Sequence, residues 1–257
     1  MRNTTPADAA AFSSRRGLLG LLAVTGLDAA AGTSTGNHSM TGNDTEPLSP
    51  MKLALGPIAA ATAVGDMARL APALARGLDA GLNIGQVKET LVQMYAYAGF
   101  PRSLNGLGAL MKVLEERRAR GIRDTEGAAP GPVPVGAQLL ETGTANQTRL
   151  VGAPVAGPLF DFAPAIDQFL KTHLFGDIFA RDNLDWQSRE LATVGALAAM
   201  SGVDSQLASH VRISLNVGLG ADQLVQSANA LAAAGFQEAA DRLRAAVGRL
   251  ATDAARR

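Results

Sequence analysis

The chain has 257 residues, 47% of them hydrophobic and 18% charged, with 23 basic side chains against 23 acidic ones. That is enough apolar chain for a sizeable core, and zero net charge excludes a broad nucleic-acid footprint. The absence of cysteine excludes disulfides, thiolate metal sites, a lipoprotein anchor and a thiol nucleophile. Three histidines (His38, His173 and His210) are too few for a histidine-rich metal centre, so no metal site is expected. No run of 18 apolar residues occurs, so no stable membrane insertion is expected of the mature chain.

Residues 1–31 read as an export signal. Arg2, Arg15 and Arg16 precede the apolar run Gly17 to Val24, and Ala29-Ala30-Ala31 supplies a small-residue end. Ser14-Arg15-Arg16-Gly17-Leu18-Leu19 resembles a twin-arginine signal, which implies a periplasmic or secreted protein; without a working signal the chain stays cytoplasmic. Removing the segment leaves 20 basic and 21 acidic residues. Residues 32–50, rich in Gly, Ser, Thr and Asn, read as a flexible linker that holds His38 in solvent.

From Met51 the apolar period is near 3.6, and no stretch alternates as a strand, so the expected fold is all-α with about eight or nine helices. One stripe runs Ile84, Val87, Leu91, Met94 and Tyr95, opened by a capping-box spacing of Asn83 and Gln86 and ended by Gly99 and Pro101. A second runs Phe162, Ile166, Phe169, Leu170 and Leu174, and a third Leu191, Val194, Leu197 and Ala198. Between them, residues 125–158 are rich in Gly, Pro, Val and Thr and read as an irregular connection.

Two segments align at an offset of 137 residues. Gly65, Leu70 and Ala71 face Gly202, Leu207 and Ala208, and Leu78, Gly81, Leu82 and Gln86 face Leu215, Gly218, Leu219 and Gln223. The expected organisation is therefore two fused helical repeats, 51–124 and 159–254.

The string Tyr97-Ala98-Gly99-Phe100-Pro101-Arg102-Ser103-Leu104-Asn105, preceded by Gly81-Leu82 and Glu89, resembles the carboxymuconolactone decarboxylase family. So does Arg189-Glu190-Leu191-Ala192-Thr193, followed by His210, Asn216-Val217-Gly218-Leu219 and Gln223-Leu224. The resemblance covers about 51–120 and 160–250. It implies an all-α unit that assembles into homo-oligomers. The motifs are divided between the copies: Leu53 and Ala73 stand where Glu190 and His210 lie in the second, while the second copy has lost the tyrosine and proline of the first.

Glu190 and His210 are the candidate catalytic pair. They flank the turn Gly202-Val203-Asp204 at 12 and 8 residues. On antiparallel helices that is about 18 and 12 Å from the turn, within bridging reach of long side chains. A carboxylate on one imidazole nitrogen fixes the tautomer and makes the other a proton-transfer group. The bland reading is a carboxylate favoured by its helix N-terminus and a histidine satisfying a helix contact. Arg181, Arg189 and Arg212 can grip a substrate carboxylate, with Tyr97 and His173 completing the candidate substrate-binding set.

The leading function is a cofactor-free, decarboxylase-like enzyme acting on a small carboxylated lactone or organic acid. A non-catalytic helical binding or assembly module is the alternative. A peroxidase of the alkyl hydroperoxidase D type is disfavoured, since that branch needs Cys-x-x-Cys where this chain has Gly202-Val203-Asp204-Ser205.

Overall fold

The computed structural model describes residues 46–255, with the side chains of 251 and 253–255 left aside. The expected export signal and most of the expected linker lie outside the described residues. Among the described residues the fold is helical throughout, with no strand. Nine helices have ten residues or more: α1 (Pro50–Val64), α2 (Met67–Asp79), α3 (Ile84–Gln93), α5 (Phe100–Ala119), α6 (Ala137–Val151), α9 (Trp186–Ala199), α10 (Asp204–Asn216), α11 (Ala221–Ala233) and α12 (Gln237–Ala255). Three short ones join them: α4 (Tyr95–Ala98), α7 (Pro158–Phe162) and α8 (Pro164–Phe169). A π-helical segment spans Leu170–Ile178.

The linker stops short of its expected end. Leu48 is buried, its amide donates to Gln226 Oε1 at 2.9 Å, and Ser49 caps α1. An apolar side chain followed by a Ser-Pro helix start gives these residues something to bind and a fixed backbone.

α1 and α9 form the centre. They approach so closely that a Cβ on Gly195 would sit 2.6 Å from the Gly56 Cα, so only glycine fits there. Around this pair, α1 packs on α2, α3, α5 and α11, and α9 packs on α10, α11, α12 and α3. One apolar cluster runs through all of these helices, filled by Leu55, Ile58, Leu70, Leu74, Leu191, Leu197 and many alanines. Alanine's small side chain suits such close helix axes.

Local features recur at the offset seen in the sequence. α2 and α10 each have 13 residues and begin 137 apart, as do the starts of α3 and α11. Gln86 and Gln223 each accept from the backbone N–H of the residue capping their own helix, at 3.1 and 3.0 Å. Gly65 and Gly202, and Gly81 and Gly218, all have positive φ. All four belong to turns closing a helix, where glycine adopts this conformation without a Cβ clash.

Three further expectations are corrected. The connection 125–158 is not irregular throughout, for it contains α6. Its helical signal is masked by Thr and Gly, yet Gly143 is what lets α6 lie on the π-helical segment: a Cβ there would overlap the Lys171 carbonyl. The stripe from Phe162 to Leu174 is not one helix. Pro164 breaks it between α7 and α8, and the turn widens to π from Leu170. Leu174 joins a second, smaller core with Leu150, Phe175, Ile178, Phe179 and Ile213, whereas Phe162 and Phe169 remain exposed. Pro101, expected to end the first stripe, instead lies in the first turn of α5, while Gly99 closes α4 with φ 82°.

Candidate functional site

The N-terminal part of α9 carries two polar residues side by side, and both are wholly enclosed: Arg189 and Glu190 are each 0% exposed. Successive residues on a helix are about 100° apart, so they address different neighbours.

Glu190 points toward α10. Its Oε2 accepts from His210 Nδ1 at 2.8 Å. The turn through Gly202 sets α9 and α10 side by side, which brings the two levels together as their spacing in the chain predicts. His210 is nearly buried, and no described residue hydrogen-bonds its Nε2. The ring of Tyr97, from α4, meets the imidazole edge-on at 5.6 Å between centroids. Tyr97 packs against both cores, so it stands at the seam between the central bundle and the α6 layer.

The pair is not fully satisfied. Glu190 Oε1 and Tyr97 Oη are both buried with no hydrogen-bond partner. Burial pushes the Tyr97 phenol well above its usual range, and the Glu190 charge adds to this, so the hydroxyl stays protonated at any working pH.

Arg189 turns the other way, toward α3. Its Nη2 lies 3.2 Å from Glu89 Oε2 and donates to the Arg181 carbonyl at 2.9 Å, while Nη1 donates to Gln93 Oε1 at 3.1 Å. Arg181 meets the same Glu89 with a forked contact, at 2.6 to 3.0 Å. Gln93 closes the network, donating to Thr193 Oγ1 at 2.8 Å and to the Arg189 carbonyl at 2.9 Å. Burial raises the Glu89 carboxyl, but the Arg181 fork, Asn183 and the two guanidinium charges outweigh it and hold it below its ordinary value. Burial lowers Arg189, partly offset by Glu89. Hydrogen bonding to Glu89 raises Arg181.

The remaining candidates stand apart. Arg212 is exposed on α10. His173 is 45% exposed along its side chain, hydrogen-bonds Asp177 at 2.7 Å one turn away, and tilts against Tyr95 at 5.2 Å. The structure thus gathers Glu190, His210 and Tyr97 at one place and Arg189 and Arg181 at a second beside it. It leaves Arg212 and His173 outside both. Gln93 and Thr193 were not singled out from sequence. The signal was present: Glu89 and Gln93, and Arg189 and Thr193, are two polar i,i+4 pairs on otherwise apolar faces.

Among the described residues no group of three or more His, Asp or Glu side chains is placed to hold a metal ion. No helix among them is long and apolar enough to cross a membrane. No curated protein matches the chain. Residues 164–248, which hold both Glu190 and His210, match the carboxymuconolactone decarboxylase family. That is 85 of the 257 residues, and together with the all-helical fold it supports the family resemblance over the second half of the chain.

Proposed function

We propose that the chain is two fused copies of one helical unit sharing a single polar site, and that this site is a cofactor-free proton-transfer centre acting on a small carboxylated lactone or organic acid. The observation that carries this reading is the 2.8 Å bond between an enclosed Glu190 and His210, with Nε2 hydrogen-bonded by no described residue. The family match over 164–248 supports it, as do the recurring helix starts and glycines.

In the proposed step the C–C bond to the substrate carboxylate breaks and carbon dioxide leaves. The bonding electrons pass into the adjacent carbonyl system as an enolate, whose carbon then takes the proton from protonated His210 Nε2. The Glu190 carboxylate holds the ring's tautomer and balances the imidazolium. Arg189 is enclosed and Arg212 lies outside both clusters, so Arg181, paired with Glu89 but 31% exposed along its side chain, is the candidate cation left to meet a substrate carboxylate. Exposed Phe162, Phe169 and Met111 support assembly into homo-oligomers, and the same exposed side chains favour the second reading, a non-catalytic assembly module.

The test is carbon dioxide release from a panel of small carboxylated lactones and β-keto acids. His210→Ala is expected to lower turnover by about 10²- to 10⁴-fold while the helical circular dichroism is unchanged. Equal turnover by the variant removes His210 from the reaction. No turnover of any panel member by the parent protein favours the assembly module.

A further inference from the structure

A concave site lies where the ends of α1, α6, α9 and α10 meet. It is a cavity of about 620 Å³, and neither Glu190 nor His210 lines it. Trp186 forms part of its wall, and the indole N–H is pinned by the Phe179 carbonyl at 2.9 Å.

Two cations face this cavity, and no described carboxylate pairs with either. The Arg149 guanidinium lies 5.0 Å from the centre of the Trp186 ring, and no described residue is hydrogen-bonded to its N–H groups. Lys52 Nζ donates to Gln187 Oε1 at 2.5 Å, a neutral partner that positions the ammonium without cancelling it. Gln187 is held in turn, since its Nε2 donates to the Val217 carbonyl at 3.1 Å. Trp186 and Gln187 are consecutive, so the two cations are anchored on neighbouring residues.

The acidic group on the cavity wall is already committed. Asp185 caps α9, one oxygen accepting from the Ser188 amide at 2.9 Å and the other from the Ser188 hydroxyl at 2.7 Å. The α6 carbonyls of Leu150 and Val151, which would repel an anion, accept from Asn216 Nδ2 at 3.1 and 2.9 Å. Lys52, Arg149 and Asp185 together leave one positive charge, which a single anionic group neutralises. Part of the lining is aromatic or aliphatic (Trp186 and Val217), which suits an apolar body behind that group.

We propose that this cavity binds a small organic acid through one carboxylate held between Arg149 and Lys52, with its apolar body against Trp186. The site stands independently of the chemistry proposed for Glu190 and His210.

Trp186 is the single tryptophan of the chain and also lines a neighbouring cavity that holds Arg181, so its fluorescence reports binding at its ring and the Lys52 and Arg149 substitutions assign that binding to this cavity. Titrating the protein with benzoate is expected to change that fluorescence saturably, beyond the effect of sodium chloride at matched ionic strength. Lys52→Met and Arg149→Met are each expected to weaken the apparent affinity about tenfold, the usual cost of losing one charge-assisted contact. His210→Ala is expected to bind benzoate as the parent does, which separates this site from the proposed reaction. A response no greater than that to sodium chloride overturns the proposal. So does benzoate binding that survives both substitutions together. An equal response to inorganic phosphate overturns the organic-acid assignment and leaves a general oxyanion site. If a substituted chain loses its helical circular dichroism, the comparison of benzoate, phosphate and chloride on the parent protein still decides.

Discussion

Arg189 and Glu190 are neighbours on α9, equally enclosed, yet they enter two clusters of different character. On the Arg189 side opposite charges meet: Glu89 contacts both guanidinium groups, and Gln93 and Thr193 take up much of what remains, though Arg189 Nε has no partner. On the Glu190 side two buried oxygens, Glu190 Oε1 and Tyr97 Oη, have no partner, and His210 keeps one nitrogen unbonded by any described residue. The charge-paired network fixes how α3 meets α9. An open one leaves groups whose desolvation has been incurred but whose bonding capacity is unspent, the condition under which a substrate gains most from binding. At the 137-residue offset, the positions of Glu190 and His210 correspond to Leu53 and Ala73, and Ala73 is part of the core.

The largest expected effect comes from breaking the charge-paired cluster. Glu89→Ala leaves Arg189 with no carboxylate while it is 0% exposed, and is expected to cost about 3–5 kcal/mol in denaturant unfolding. A cost below about 1 kcal/mol would mean that the network is not what joins α3 to α9.

A smaller effect of the same origin follows from acid. Glu89 has its carboxyl held below the ordinary value of 4.5 in the folded chain, so the folded state favours the ionised form. Its contribution is therefore complete above that ordinary value and is lost as pH falls through it toward the lower folded one. Unfolding midpoints measured across the acid range should fall with pH in the parent protein and fall less steeply in Glu89→Gln. Parallel curves would assign the acid sensitivity to other carboxylates.

The smallest expected effect probes the open cluster. Tyr97→Phe removes a hydroxyl that makes no hydrogen bond, keeps the ring beside His210, and is expected to change stability by less than about 0.5 kcal/mol or to raise it. A loss above about 1 kcal/mol would show that the hydroxyl is bonded in solution, against Thr193 or Glu190, and that the Glu190 cluster is closed.

Much of this was legible in the sequence because it depends on short-range rules. The stripe through Ile84, Val87 and Leu91, the Asn83–Gln86 capping box and the turn at Gly202 are set by residues within a few positions of one another. The Glu190–His210 contact belongs to the same class, since one tight turn and two regular helices fix the level of both side chains. Where the local signal was mixed, neighbours decided. α6 is rich in Thr and interrupted by Gly143, and it is a helix that packs on the π-helical segment through that glycine. The stripe after Phe162 kept its apolar residues but lost its continuity at Pro164, so Phe162 and Phe169 face outward.

The sequence by itself determined the helical class, the capped start of α3 and the turn at Gly202 that puts Glu190 within reach of His210, because each rests on periodicity, caps and turns that act over one or two helical turns. Tertiary structure alone decided which arginine is enclosed against Glu89, that Tyr97 of the first half stands over His210 of the second, and that Arg149 and Lys52 face one cavity around Trp186. Those contacts join residues about 90 or more positions apart, or positions on separate helices. Their formation depends on how closely α1 and α9 cross at Gly56 and Gly195, a distance set by packing and not by any local pattern.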